Sequence, residues 1–311
     1  MEVARRWLLL FLKGIAMGAA DVVPGVSGGT IAFISGIYEE LLDSIRAVNW
    51  QSLKILATRG PRAFWRAING NFLLVLFAGI LLSVASLAKL VSHLLVSQPI
   101  LVWSFFFGLI LASIVYIFRQ LPHLRAQEWL ALLSGTLVAL AISFASPAQG
   151  QEGLLAVYLA GVLAICAMIL PGVSGSFILL LLGMYPVMID AISDFRWSLL
   201  LMFLLGCATG LMAFARLLSW LLHRYHSVTI ALLTGFLVGS LLIVWPWRET
   251  LEVMMDSRGR EVVLSSRLLL PGEFGRVTGL DPRTFAAIGC MAVGLILVLG
   301  LEYLGGRRGK L

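Results

Sequence analysis

The sequence predicts an all-α polytopic membrane protein: an inverted repeat, each half one re-entrant helical hairpin plus three transmembrane helices. Three observations lead there. The 311 residues are 60% hydrophobic and only 13% charged, with mean hydropathy +0.97, a composition that fits a chain immersed in lipid. The stretch Val23-Pro24-Gly25-Val26-Ser27-Gly28-Gly29-Thr30 returns 147 positions later as Leu170-Pro171-Gly172-Val173-Ser174-Gly175-Ser176-Phe177. Lysine and arginine gather in alternate loops, as they do on the cytoplasmic side of membrane proteins.

The match around the motif extends at the same offset: Gly14 with Gly161, Gly36 with Gly183, Tyr38 with Tyr185, Asp43 with Asp190. Pro-Gly ends a helix, and Ser followed by small residues starts the next. Each motif segment, about 3–45 and 154–192, therefore reads as helix, break, helix. Broken helices at matching places in two halves point to a transporter's binding site. Six further runs are long enough to span, at about 20 residues each: Phe72–Leu95, Ile100–Phe118, Trp129–Ala145, Leu199–Leu222, Val228–Trp247 and Phe285–Leu304.

Charge sets the expected topology. Arg46–Gly70 carries Arg46, Lys54, Arg59, Arg62 and Arg66 with no acid, and the N-terminus carries Arg5, Arg6 and Lys13. Both ends of the first motif segment then lie in the cytoplasm, which makes it a hairpin. Continuing from there leaves Val96–Pro99 and Ser146–Gly153 outside without a cation, and places Arg119, Arg125, Arg224 and the C-terminal Arg307, Arg308 and Lys310 inside. Each half has three spans, an odd number, so the halves are inverted: 1–146 and 147–311. A second register at offset 127 matches Gly79 with Gly206, Lys89 with Arg216 and Gly108 with Gly235. The long outer loop, Arg248–Arg283, balances six arginines with six acids. Its valine-rich runs around Asp256–Arg260 suggest a small β-hairpin. The apolar run after Arg5 and Arg6 leads into the first motif without a small-residue cleavage pattern, so no cleavable signal peptide is expected. Cys166, Cys207 and Cys290 lie in apolar runs without metal-ligand spacing and read as packing residues; no metal or cofactor is expected. The net charge of +7 is accounted for by the cytoplasmic loops rather than by nucleic-acid binding.

A helix that begins inside the membrane offers free N–H groups and a partial positive charge to an anion. Gly25, Ser27, Gly28, Gly29 and Thr30 can form one such cup, and Gly172, Ser174, Gly175 and Ser176 a second. The plain alternative is that the serines only cap their helices and the glycines only allow close packing. Helix ends contribute on the order of 0.3–1 kcal/mol each, too little to hold a phosphate in hydrocarbon, so the site also needs water, a cation or both. Lys89 and Arg216 occupy matching positions in the two halves; snorkelling to the interface is their other reading. Among acids, Asp21 stands three residues before Pro24, opposite Met168 in the other half. Asp21, Glu39, Asp43 and Asp190 are candidates to carry a coupling proton or sodium ion, or to neutralise the arginines; Glu40 and Asp43 also read as solvated hairpin ends.

The long motif Met17 to Thr30, with Gly36-Ile37-Tyr38-Glu39 after it, its second copy, and Trp245-Pro246-Trp247 before the outer loop resemble the polyprenyl-phosphate translocase family of bacterial membranes, catalogued as domain-of-unknown-function family 368. The resemblance covers essentially the whole chain. It implies a lipid flippase that returns undecaprenyl phosphate from the outer to the inner leaflet of the cytoplasmic membrane, recycling the carrier of cell-envelope glycan and peptidoglycan synthesis. Its partners would be that lipid and the surrounding membrane, with both termini cytoplasmic. Two other readings are carried: a secondary transporter of a small anion or ion, and an intramembrane serine hydrolase using Gly25-Val26-Ser27-Gly28 with His93.

Overall fold

In the computed structural model, residues 2–23, 26–121, 125–145, 150, 153–255 and 261–306 are described. Two long helices of 28 residues anchor the two halves: α6 (Gly70–Ser97) and α12 (Trp197–Arg224). Their ends coincide at the offset of 127 read from the sequence. Each carries the helix that precedes its half's first break. The N-terminal α1 (Glu2–Asp21) packs along α6, and α9 (Leu154–Ile169) along α12.

These two pairs cross on glycine. A Cβ on Gly79 would overlap the Phe11 carbonyl of α1, and one on Gly206 the Tyr158 carbonyl of α9. Gly14 and Gly161 face them from the partner helices, their missing Cβ atoms falling against the Leu76 and Phe203 carbonyls. Small residues let helix backbones approach closely where lipid supplies no hydrophobic drive. The repeat therefore reaches into the packing, since Gly14/Gly161 and Gly79/Gly206 are the pairs matched in sequence.

The remaining spans pair across the halves. The first half's α7 (Pro99–Gln120) packs on α15 (Thr284–Gly306), and its α8 (Ala126–Ser143) on α13 (His226–Ser240). Exchanging the halves turns one pair into the other. Among the described residues four helices, α6, α7, α8 and α12, are long and apolar enough by themselves to cross a membrane. The apolar run expected to span through Trp247 is helical only to Ser240, then turns through Val244. Hydropathy registers that run as continuous, whereas its backbone prepares for Pro246, which lacks a donor and restricts the residue before it.

Each motif segment has one more bend than expected. After the break come a seven-residue helix, α2 (Gly28–Ile34) or α10 (Gly175–Leu181), and then α3 (Tyr38–Ala47) or α11 (Met184–Ser193). The second bend turns on Gly36 (φ +71°) and Gly183 (φ +65°), left-handed positions that favour glycine. Between α10 and α11 the chain turns by 108°. α3 leads through α4 (Trp50–Arg59) and α5 (Pro61–Ala67) to α6.

After α13 the expected hairpin is present: β1 (Arg248–Met255) pairs antiparallel with β2 (Glu261–Leu268), its tip lying outside the described residues. A short α14 (Pro271–Thr278) follows. Here Arg248 is held by the Trp245 carbonyl at 2.8 Å and lies 5.0 Å from the Trp103 ring centroid. Burial lowers its pKa to about 10, which leaves it charged at neutral pH. The largest core surrounds the first break. Val23 and Val26 flank that break at 0% and 2% exposure, packed with Leu42, Leu76, Ile110, Leu233 and Leu237.

Candidate functional site

The two breaks meet. Ser27, the N-cap of α2, donates to the Met168 carbonyl at 2.6 Å and accepts from the Gly29 N–H at 3.1 Å. Tyr38 donates to the Ile169 carbonyl at 3.0 Å. Those carbonyls end α9 and have no intrahelical partner of their own. In return the Gly172 N–H donates to Thr30 Oγ1 at 2.9 Å. The first motif thus closes the broken end of α9, although its residues lie more than 130 positions away in sequence.

The first cup is filled by the chain itself. The Gly28 N–H donates to Asp21 Oδ1 at 2.6 Å. At the other end of α2, Lys13 donates to the Ser35 carbonyl at 2.6 Å. Asp21 and Lys13 stand eight residues apart on α1, about 12 Å along its axis, and α2 is about 10 Å long. An acid at its positive end and a base at its negative end are the signs a helix dipole favours. The two contacts also fix α2 as antiparallel to α1, so the chain does turn back at the break. Sequence reading counted Lys13 only as a terminal charge. The corresponding positions in the second half are Ala160 and Met168, so α10 has no such brace.

The glycines of the first cup are tightly packed. A Cβ on Gly28 would fall 2.6 Å from Asp21 Oδ2, and one on Gly29 2.7 Å from the Ile169 carbonyl. Thr30 is fully buried. Gly25 lies outside the described residues. The second cup differs. Ser174 is buried at 8% exposure, and its Oγ lies 2.9 Å from that of Ser176, which is exposed. Among the described residues no side chain caps the N–H groups that begin α10. Gly172 holds φ at +85°, and a Cβ on Gly175 would meet the Ala164 carbonyl at 2.7 Å.

Lys89 and Arg216 sit at the twentieth position of their 28-residue helices. Both are exposed, and neither is bonded to another described residue. Three of the acids on α3 are engaged. Asp43 accepts the Ser219 hydroxyl at 2.7 Å and faces His223 at 3.6 Å. Glu39 meets His226 at 3.0 Å, and Glu40 meets Arg6 at 3.8 Å. His223 and His226 were not singled out from sequence; their signal is the His-x-x-His spacing at the turn between α12 and α13. Asp190 is half-buried without a side-chain partner among the described residues. Ser27 is bonded to backbone atoms, and no described histidine is bonded to it; His93 is an exposed residue of α6.

No solved structure matches the chain. A polyprenyl-phosphate transporter of Vibrio cholerae is 49% identical over 296 residues, 95% of this chain and 96% of its own length. A polyprenyl-phosphate transporter of Staphylococcus aureus is 32% identical over 267 residues, 80% of this chain and 89% of its own. Residues 17–262, which hold both motifs and most of the helices above, match the VCA0040-like family, described as undecaprenyl phosphate translocase-like, and the chain belongs to that family.

Proposed function

We propose that this protein moves a polyprenyl phosphate, undecaprenyl phosphate, from the outer to the inner leaflet of the bacterial cytoplasmic membrane, so that the carrier lipid is reused in envelope synthesis. The names of its relatives support the substrate class. The observation that carries the mechanism is the contrast between the two breaks: one is closed by Asp21, the other starts a helix whose N–H groups no described side chain caps. A phosphate head crossing the membrane needs donors that are not already spent. The second break offers them at Ser174, Gly175 and Ser176, beside the exposed Ser176 hydroxyl, while the Gly172 N–H is held by Thr30. For the phosphate to use Gly28 it must first displace the Asp21 carboxylate, and to use Gly29 the Ser27 hydroxyl. Asp21 is accordingly the residue on which proton or sodium coupling would act, ahead of Glu39, Asp43 and Asp190. The isoprenoid tail stays in lipid while the head passes between the two motif segments, which form an inverted pair with both termini cytoplasmic. Lys89 meets the head at the outer mouth and Arg216 at the inner.

The test is reconstitution into liposomes with a leaflet-resolved readout of undecaprenyl phosphate. Movement of that lipid, with inorganic phosphate neither carried nor competing, is expected. Transport of inorganic phosphate without the lipid would move the protein to the small-anion class. Labelling of Ser27 by a fluorophosphonate, with hydrolysis, would make it an enzyme.

A further inference from the structure

Not every cation at the corner of α3 and α12 has an acid to meet. We infer that Arg46 and Arg216 together form a binding site for a phosphomonoester, in a cavity of about 300 Å³ lined by Arg46, Asn49, Trp50, Gln51 and Arg216. The inference rests on the function proposed above and deepens it by naming where the phosphate head is received at the α3–α12 end.

Arg46 ends α3, and on charge pattern alone it passes for an ordinary loop cation. Its guanidinium donates to Ser219 Oγ at 3.0 Å. Ser219 stands one turn after Arg216 on α12, so the two share a helix face. The Ser219 proton goes to Asp43 at 2.7 Å, which fixes the hydroxyl as the acceptor for Arg46. One of the five N–H donors of Arg46 is thereby used for positioning. The rest of Arg46 and the whole of Arg216 have no partner among the described residues. Asp43, Glu39 and Glu40 are turned to Ser219 and His223, to His226, and to Arg6 and Asn69. No described carboxylate is bonded to either guanidinium.

Two like charges lining one cavity repel, and an anion between them reverses the sign of that interaction. Each guanidinium presents a planar fork that matches two oxygens of a phosphate, and a terminal phosphate offers three oxygens and about −1.5 to −2 charges. The helix end of α4 adds little, because Asn49 already accepts from the Gln51 and Ser52 N–H groups at 2.9 and 3.1 Å. The carrying groups are the two arginines. Beside them, Trp50, Leu53 and Leu56 are exposed at 71%, 46% and 40%. They recur every three residues and form an apolar stripe along α4. A cationic cavity at the foot of an apolar stripe suits an amphiphile with a phosphate head and a hydrocarbon tail better than free phosphate.

The experiment uses the full chain in phosphatidylcholine nanodiscs. Farnesyl phosphate is titrated, with farnesol, inorganic phosphate and phosphatidylglycerol as competitors. Binding is read by tryptophan fluorescence and assigned to the site with Trp50→Phe. Transport of undecaprenyl phosphate is measured in liposomes in parallel. Farnesyl phosphate should bind, farnesol should not, and Arg46→Gln or Arg216→Gln should each weaken binding about tenfold. The double variant should add little to either single one, since half a site is already lost. Arg46→Lys and Arg216→Lys keep the charge without the fork and should fall between. They also serve if a glutamine variant does not fold. Wild-type transport together with unchanged affinity in the arginine variants would overturn the site and leave the proposed function standing. Arginine-dependent binding of inorganic phosphate without lipid transport would uphold the site and overturn the lipid reading. Equal competition by phosphatidylglycerol would reduce the two arginines to general membrane anchors and refute the inference.

Discussion

Replacing Asp21 by alanine should loosen α2 without unfolding the bundle. Its carboxylate takes the Gly28 N–H at 2.6 Å. A hydrogen bond to a charged group contributes about 1.5–3 kcal/mol net. The charge at the helix start accounts for about 0.3–1 kcal/mol of that, rising to about 2 when partly buried. Asp21→Asn keeps an acceptor and loses only the charge, so its cost should be near 1 kcal/mol. Asp21→Ala leaves the Gly28 N–H without a partner, so its cost should be about 2 kcal/mol. Amide hydrogen exchange over Gly28–Ile31 reads this directly, since about 2 kcal/mol corresponds to roughly 30-fold faster exchange. Lys13→Met should speed exchange at the opposite end of α2, around Ser35, because it removes a 2.6 Å bond to that carbonyl. The second half serves as an internal control, since α10 has no such brace and its exchange should not change. Unchanged exchange at Gly28 in the alanine variant would refute the bracing of α2. An asparagine variant that exchanges at the wild-type rate would remove the charge from the argument.

Four further outcomes are expected. In oriented liposomes, Lys89→Met should slow uptake of the lipid from the outer leaflet and Arg216→Met its arrival at the inner, each about tenfold; wild-type rates in both directions would make them anchors. Gly161→Val should overfill the α9–α12 crossing at the Phe203 carbonyl and cost about 1–3 kcal/mol, seen as a lower unfolding temperature in detergent. Arg248→Met should lower stability through the loss of its 2.8 Å bond to the Trp245 carbonyl and its Trp103 contact, measured as greater proteolysis of the β1–β2 segment. For topology, cysteines are best placed at Thr58 and Arg276, both exposed, in a chain lacking Cys166, Cys207 and Cys290; Ser52 is unsuitable because it is 3% exposed within the Asn49 cap. Thr58→Cys and Arg276→Cys should label from opposite sides of the membrane.

What could be read in the sequence were the features that repeat. Gly36 and Gly183 matched because both turns need a left-handed residue, and Gly14, Gly79, Gly161 and Gly206 because two crossings need the same absent side chain. The valine-rich runs flanking a polar tip marked β1 and β2. The asymmetric features were harder to see. Asp21 reaches Gly28 across a break, a separation of seven with no helical periodicity behind it. Lys13 acts on a carbonyl 22 residues away. His223 and His226 gain meaning only once α3 is folded against the α12–α13 corner. Arg46 looked like a loop charge because loop charges are ordinary, and only Ser219, 173 positions later, places it beside Arg216. Hydropathy over-extended α13 because it weighs side chains and is blind to the turn before Pro246.

The exchanged pairing of α7 with α15 and α8 with α13 bears on how the chain is made. Synthesis runs from the N-terminus, so α7 and α8 enter the membrane long before their partners exist. Until α13 is translated, the face of α8 around Gly135 has no helix to close on, and α7 must wait for α15. Neither half can finish as an independent unit. A chain that stops before Thr284 leaves Gly108 of α7 uncovered, an open seam of backbone that membrane quality control can recognise. Assembly is completed from the C-terminus back into the first half, and the same late step that closes the bundle certifies that both copies are present.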